Sequence, residues 1–117
     1  MNWLRVAGLL GFLAVALGAF GAHALKARLS SELLQVWNTA VLYHLIHALA
    51  LFALALFARS TSASITIPAW LFTAGILVFS GSLYALALSG IKPLGAITPV
   101  GGLCFLAAWL WVSFKLA

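Results

Sequence analysis

The stretch Thr39–Ala58, TAVLYHLIHALALFALALFA, decides the fold. It holds no Lys, Arg, Asp or Glu. About 20 apolar residues in a helix, rising 1.5 Å each, cross the ~30 Å hydrocarbon core of a bilayer. Working outward, the same pattern recurs at Leu4–Ala22, Ile65–Leu88 and Leu94–Phe114. Arg5, Lys26, Arg28, Glu32, Arg59, Lys92 and Lys115, the charged residues of the chain, lie between or beside these stretches. Mean hydropathy is +1.22, and 6% of residues are charged. A soluble domain needs far more polar surface than that. The expected fold is all-α: a four-helix transmembrane bundle in up-down order, with both termini on the same side. Residues 1–117 read as one integral membrane domain, with helices at about 3–25, 31–58, 66–88 and 97–114. The connections are too short to hold a soluble domain.

The formal net charge of +5 invites a nucleic-acid reading. The cations are dispersed singly at helix ends rather than gathered in a patch, so no nucleic-acid partner is expected. At such positions they serve as headgroup and topology anchors. Orientation stays open, because Arg5, Arg59 and Lys115 balance Lys26, Arg28 and Lys92. Threading the chain through four spans puts Trp3, Trp70, Trp109 and Trp111 near one face and Trp37 near the other, the pattern of an aromatic belt. Helix 2 is longer than the core, so its first turns belong at the interface. Ser30 or Ser31 can cap it, with Glu32 favourable in the first turn. Gly90–Gly102 contains Pro93, Pro99 and several glycines. It reads either as a re-entrant segment or as a helix start set by proline. Cys104 is the single cysteine, so no intrachain disulfide can form. Ala22-His23-Ala24 after an apolar run has the look of a signal-peptide cleavage site, but the small residues before it are spaced for packing, and a retained span is expected.

Those small residues are Ala7, Gly11, Ala14, Gly18 and Gly21. Their 4-3-4-3 spacing keeps them on one helix face, where another backbone can approach closely. The face can pack inside the chain or form a homo-oligomer seam. The lipid bilayer is the other partner.

Polar side chains are costly in hydrocarbon, so each one inside a span needs a partner or a purpose. Successive helices run in opposite directions, which gathers His23, Asn38, Tyr43, His44, His47, Ser80, Ser82, Tyr84 and Thr98 into one half of the membrane, under the loops of Lys26 and Lys92. The other half holds little beyond Ala, Leu, Phe and Thr73. His47 stands ten residues past Trp37, roughly 15 Å deep and near the midplane. This asymmetry favours a one-sided cavity over a pore. The candidate binding residues are His23, Tyr43, His44, His47, Ser80, Tyr84, Lys92 and Thr98, for a small molecule, a lipid or a proton. A plainer reading makes them interhelical hydrogen bonds of ~1 kcal/mol each. No metal is assigned, because no second cysteine or carboxylate joins the histidines and Cys104. No cofactor is implied. No acid–base dyad can be built, since Glu32 is interfacial, so no enzyme is expected.

Gly18-Ala19-Phe20-Gly21-Ala22-His23, His47-Ala48-Leu49-Ala50-Leu51, Phe79-Ser80-Gly81-Ser82-Leu83-Tyr84 and Leu94-Gly95-Ala96-Ile97-Thr98-Pro99-Val100-Gly101-Gly102 resemble the YgdD/YwdK-like family of small bacterial inner-membrane proteins. The similarity runs through all four helices in order. The resemblance implies four spans and a bacterial plasma-membrane location, and it names no activity. It also implies a tyrosine and a histidine four apart in helix 2, here Tyr43 and His47. His44 stands where another polar residue is expected. The alternative to a pocket protein is a structural or assembly subunit of a membrane complex, without ligand or catalysis.

Overall fold

Asn2 and Ser30 start the first two helices in the same way. Each is a short polar residue whose side-chain oxygen accepts a backbone N–H of the first turn, Arg5 N at 3.0 Å and Leu33 N at 3.1 Å. Such caps satisfy donors that have no partner inside the helix. The computed structural model describes residues 1–117, with four long helices and no strand. They are α1 (Trp3–Leu25), α2 (Ser31–Ser60), α3 (Thr66–Ser89) and α4 (Lys92–Leu116), each long and apolar enough to cross a membrane.

Pro68 sits in the first turn of α3, where its missing N–H costs no hydrogen bond. Gly90 closes α3 in the left-handed region, φ +71°, and its N–H returns to the Leu86 carbonyl at 2.7 Å. The Gly90–Gly102 segment then resolves as a helix start. A 3₁₀ turn over Lys92–Ala96 leads directly into α-helix from Thr98, and Pro93 and Pro99 both occupy opening positions. It is helical from Lys92, so α4 begins some residues before the expected position 97.

Hydrogen bonds join the helices at one end of the bundle, where late residues of α1 and α3 share a level with early residues of α2 and α4. Trp37 of α2 meets Leu17 of α1, Ser80 of α3 meets Ala40 of α2, and Thr98 of α4 meets Ser82 of α3. α1 packs on α2, while α3 packs on both α2 and α4. The core between them is small: Ala7, Leu10, Ala48, Leu51, Leu54, Ala69, Phe72, Ile76, Phe105 and Ala108 are all buried. Large apolar side chains such as Leu9, Phe12, Val15, Leu103 and Leu106 point outward instead. Lipid accommodates them, as water would not.

The small-residue face of α1 is taken up inside the chain. Ala7, Ala14 and Gly21 are buried, and a Cβ added at Gly18 would stand 3.2 Å from Val41 of α2. One at Gly21 would stand 2.5 Å from the Trp37 indole. Of the two readings of that seam, this is packing inside the chain, against α2.

Two tryptophans also depart from the expected belt. Trp37 is only 2% exposed, clamped between α1 and α3 rather than facing headgroups. Trp109 lies at the level of His47, because its N–H finds its acceptor there and has no need of the interface. Trp3 and Trp70 do share one end of the molecule, with ring centroids 5.1 Å apart.

Candidate functional site

Hydrogen bonds between the helices gather in the half of the bundle toward the Lys26 and Lys92 loops. Between α1 and α2, Trp37 Nε1–H donates to the Leu17 carbonyl at 2.9 Å. Between α2 and α3, Ser80 Oγ–H donates to the Ala40 carbonyl at 2.8 Å, and His44 Nδ1 pairs with the Tyr84 hydroxyl at 2.8 Å. Between α3 and α4, the hydroxyls of Ser82 and Thr98 are 2.6 Å apart. Between α2 and α4, Trp109 Nε1–H donates to His47 Nε2 at 3.1 Å. Every packed pair of neighbours therefore carries at least one hydrogen bond. Thr73, in the other half, only donates to its own helix at Ala69.

These bonds fix the tautomer of His47. His47 Nδ1 stands 2.7 Å from the Tyr43 carbonyl, which can only accept, so Nδ1 carries the proton and Nε2 is free to accept from Trp109. His44 Nδ1 pairs with the Tyr84 hydroxyl, and its Nε2 is buried without a hydrogen-bond partner. Adjacent on one helix, the two rings thus serve different neighbours: His44 turns to α3, and His47 turns to α4.

α2 and α4 are bridged by side chains but stand apart along most of their length. Between them runs a groove open sideways, with α3 as its floor. Its half toward the Lys26 and Lys92 loops has a volume of about 760 Å³ and is lined by Tyr43, His47, Phe79, Pro99, Gly102 and Phe105, among others. Its half toward the termini, about 430 Å³, is lined by Ala50, Phe57, Phe72, Val112 and Leu116, among others. Trp109 lines both halves.

Of the eight candidate residues, Tyr43 and His47 line this groove. His44, Ser80, Tyr84 and Thr98 belong to the hydrogen-bonded layer behind it. His23 and Lys92 are exposed at the same end of the molecule and join neither group. No set of three His, Cys, Asp or Glu residues comes together to hold a metal ion. Sequence reasoning missed Trp109 as a groove residue and Gly75 and Gly101 as points of close approach. The pair Gly101-Gly102 was the available signal for the latter, since adjacent glycines on a span permit backbone contact.

Comparison with known proteins gives a consistent picture. Residues 17–102 match a family model described as "Protein of unknown function (DUF423)". The UPF0382 membrane protein YwdK of Bacillus subtilis is 51% identical over 102 residues, covering 86% of this chain and 83% of that protein. The UPF0382 membrane protein SAB0533 of Staphylococcus aureus is 44% identical over 108 residues, covering 90% and 88%. SH2409 of Staphylococcus haemolyticus, another UPF0382 membrane protein, is 47% identical over 98 residues, covering 84% and 80%. No solved structure matches. With four bilayer-length helices, a family model over most of its length and relatives named as membrane proteins, this chain belongs to the DUF423 family of small bacterial membrane proteins.

Proposed function

We propose that this protein binds the acyl chain of a membrane lipid in the groove between α2 and α4, in a bacterial plasma membrane. The observation that carries this reading is the groove's form. It is walled by Leu42, Ile46, Leu103 and Leu106, and it lies in spans whose surroundings are hydrocarbon. Its wider half ends at Leu42 and Pro99, near the Lys92 turn, with Lys26 and Arg28 at the same end of the bundle. Cations at that level suit an anionic headgroup. The relatives' bacterial origin supports the location.

Photolabelling tests it. The protein is reconstituted in vesicles of phosphatidylglycerol carrying a diazirine on the acyl chain and is mapped after irradiation. Leu103 and Leu106 should be labelled several-fold more than Phe12 and Val15, which are equally apolar and exposed on α1. Equal labelling of the two faces would mean that the groove holds lipid no longer than bulk bilayer does.

A second reading is a structural subunit without ligand. It is favoured by His47, both of whose ring nitrogens are occupied by protein groups. On that reading the polar layer serves only to hold the helices in register.

A further inference from the structure

The two halves of the groove meet at one side chain. Trp109 lines both, and its indole is held from two sides. Its N–H is bonded to His47, and its ring stands edge-on to Phe72 with centroids 5.1 Å apart. His47 is itself held. Its Nδ1–H is tied to the Tyr43 carbonyl, and its ring stacks on Phe105 at 3.6 Å with an interplanar angle of 7°. The chain of contacts runs from the α2 backbone through the imidazole to an indole on α4, so the indole lies across the groove and cannot swing freely.

The level of this crossing matters. From Pro99, at the mouth, to Trp109 the α4 helix rises ten residues, or roughly 15 Å. That is about half a ~30 Å hydrocarbon core. A chain entering beside Pro99 therefore runs along Gly102, Phe105 and Leu106 and then meets the indole near the midplane.

We infer that Trp109 is a chain-length stop, which makes the site selective for short acyl chains, about as long as an extended lauroyl group, over stearoyl chains. This rests on the groove being a lipid site. His47 acts through Trp109 as a positioning residue: it orients the indole and need not touch the lipid's polar part. The paired placement explains why a histidine bonded on both nitrogens sits at this depth. A tryptophan N–H in hydrocarbon needs an acceptor, and the tautomer fixed by Tyr43 supplies one.

The test is a competition in mixed vesicles of dilauroyl and distearoyl phosphatidylglycerol, read as lipid adducts by native mass spectrometry after gentle release. Every variant experiences the same bilayer, so hydrophobic mismatch is common to all of them. The wild type should retain the lauroyl lipid several-fold over the stearoyl one. Trp109→Ala should join the two halves of the groove and bring the ratio to about one. Trp109→Phe keeps a ring but loses the bond to His47, and its ratio should fall in between, which covers the case in which the alanine variant fails to fold. Wild-type adducts of both lipids at equal levels would overturn the stop while leaving the lipid site standing. An undiminished preference in both variants would also overturn it. No adduct of either lipid on the wild type would remove the lipid site and the stop together.

Discussion

Gly101→Ala is expected to lower stability by about 3 kcal/mol or more, while Gly102→Ala, one residue on, changes it little. Overpacking a tight contact costs ~1–3 kcal/mol, and more when no flexible group can yield. At Gly101 nothing can yield. A Cβ there would overlap the Phe79 backbone nitrogen and stand 2.7 Å from the Phe79 Cα, so α3 and α4 would have to move apart. Separating them would strain the Ser82–Thr98 pair on the same interface. At Gly102 the nearest atom is the end of the Phe79 ring at 3.8 Å, an ordinary contact. Thermal unfolding in detergent, followed by near-ultraviolet circular dichroism, measures both. Equal, small losses at the two glycines would show that the α3 and α4 backbones do not touch. The π-helical turn over Ile76–Ser80 lies at this crossing and brings Phe79 against α4; such turns are often found where a helix must depart from regular packing.

The second large effect belongs to Trp37→Ala, expected to cost about 3 to 5 kcal/mol, the usual range for deleting a buried aromatic. The indole fills the space left by Gly21, stacks at a tilt 4.7 Å from Tyr84, lies 6.0 Å from Phe20 and bonds the Leu17 carbonyl. It thus joins three helices at one point. Trp37→Phe keeps one aromatic ring but loses the hydrogen bond, on the scale of about 1 kcal/mol between membrane helices, together with part of the indole's packing, and should cost less than Trp37→Ala. The same unfolding assay separates them. A Trp37→Ala variant as stable as Trp37→Phe would put the indole outside the packed core, at the headgroup level that its sequence position suggests.

That contrast shows what the sequence could carry. The four spans are legible because uncharged apolar runs of bilayer length are the signature of a membrane-crossing helix. The layer of polar residues is legible too, since helix direction alternates and depth follows from residue count. Two things are not. A tryptophan near a span end reads as an interface anchor by frequency, yet Trp37 is drawn inward because Gly21 leaves room for a ring. Trp109 likewise stands late in its span, and only its acceptor on α2, His47 Nε2, shows that the indole turns back toward the midplane. The division of labour between His44 and His47 is equally hidden. Three residues apart they share roughly one face, and only the neighbours, Tyr84 for one and Trp109 for the other, separate their roles. For the groove, the sequence points to a one-sided polar pocket. Apart from Tyr43 and His47 at its wall, the polar side chains instead turn away from it into hydrogen bonds between helices, because an unpaired polar group in hydrocarbon is costly. What remains along the groove is mostly apolar wall.

The central question is therefore whether that wall holds a lipid. The most direct measurement is native mass spectrometry of the wild type and of Gly102→Leu, released from phosphatidylglycerol nanodiscs. Gly102 lines the groove, and a Cβ there meets nothing closer than the Phe79 ring at 3.8 Å, so leucine there should narrow the wider half while leaving α3 and α4 in contact. A lipid site predicts a discrete lipid adduct on the wild type and its loss in a Gly102→Leu protein that still unfolds at the wild-type temperature. An adduct that persists in Gly102→Leu, or a wild type that emerges bare, would contradict it and leave the polar layer as scaffolding alone.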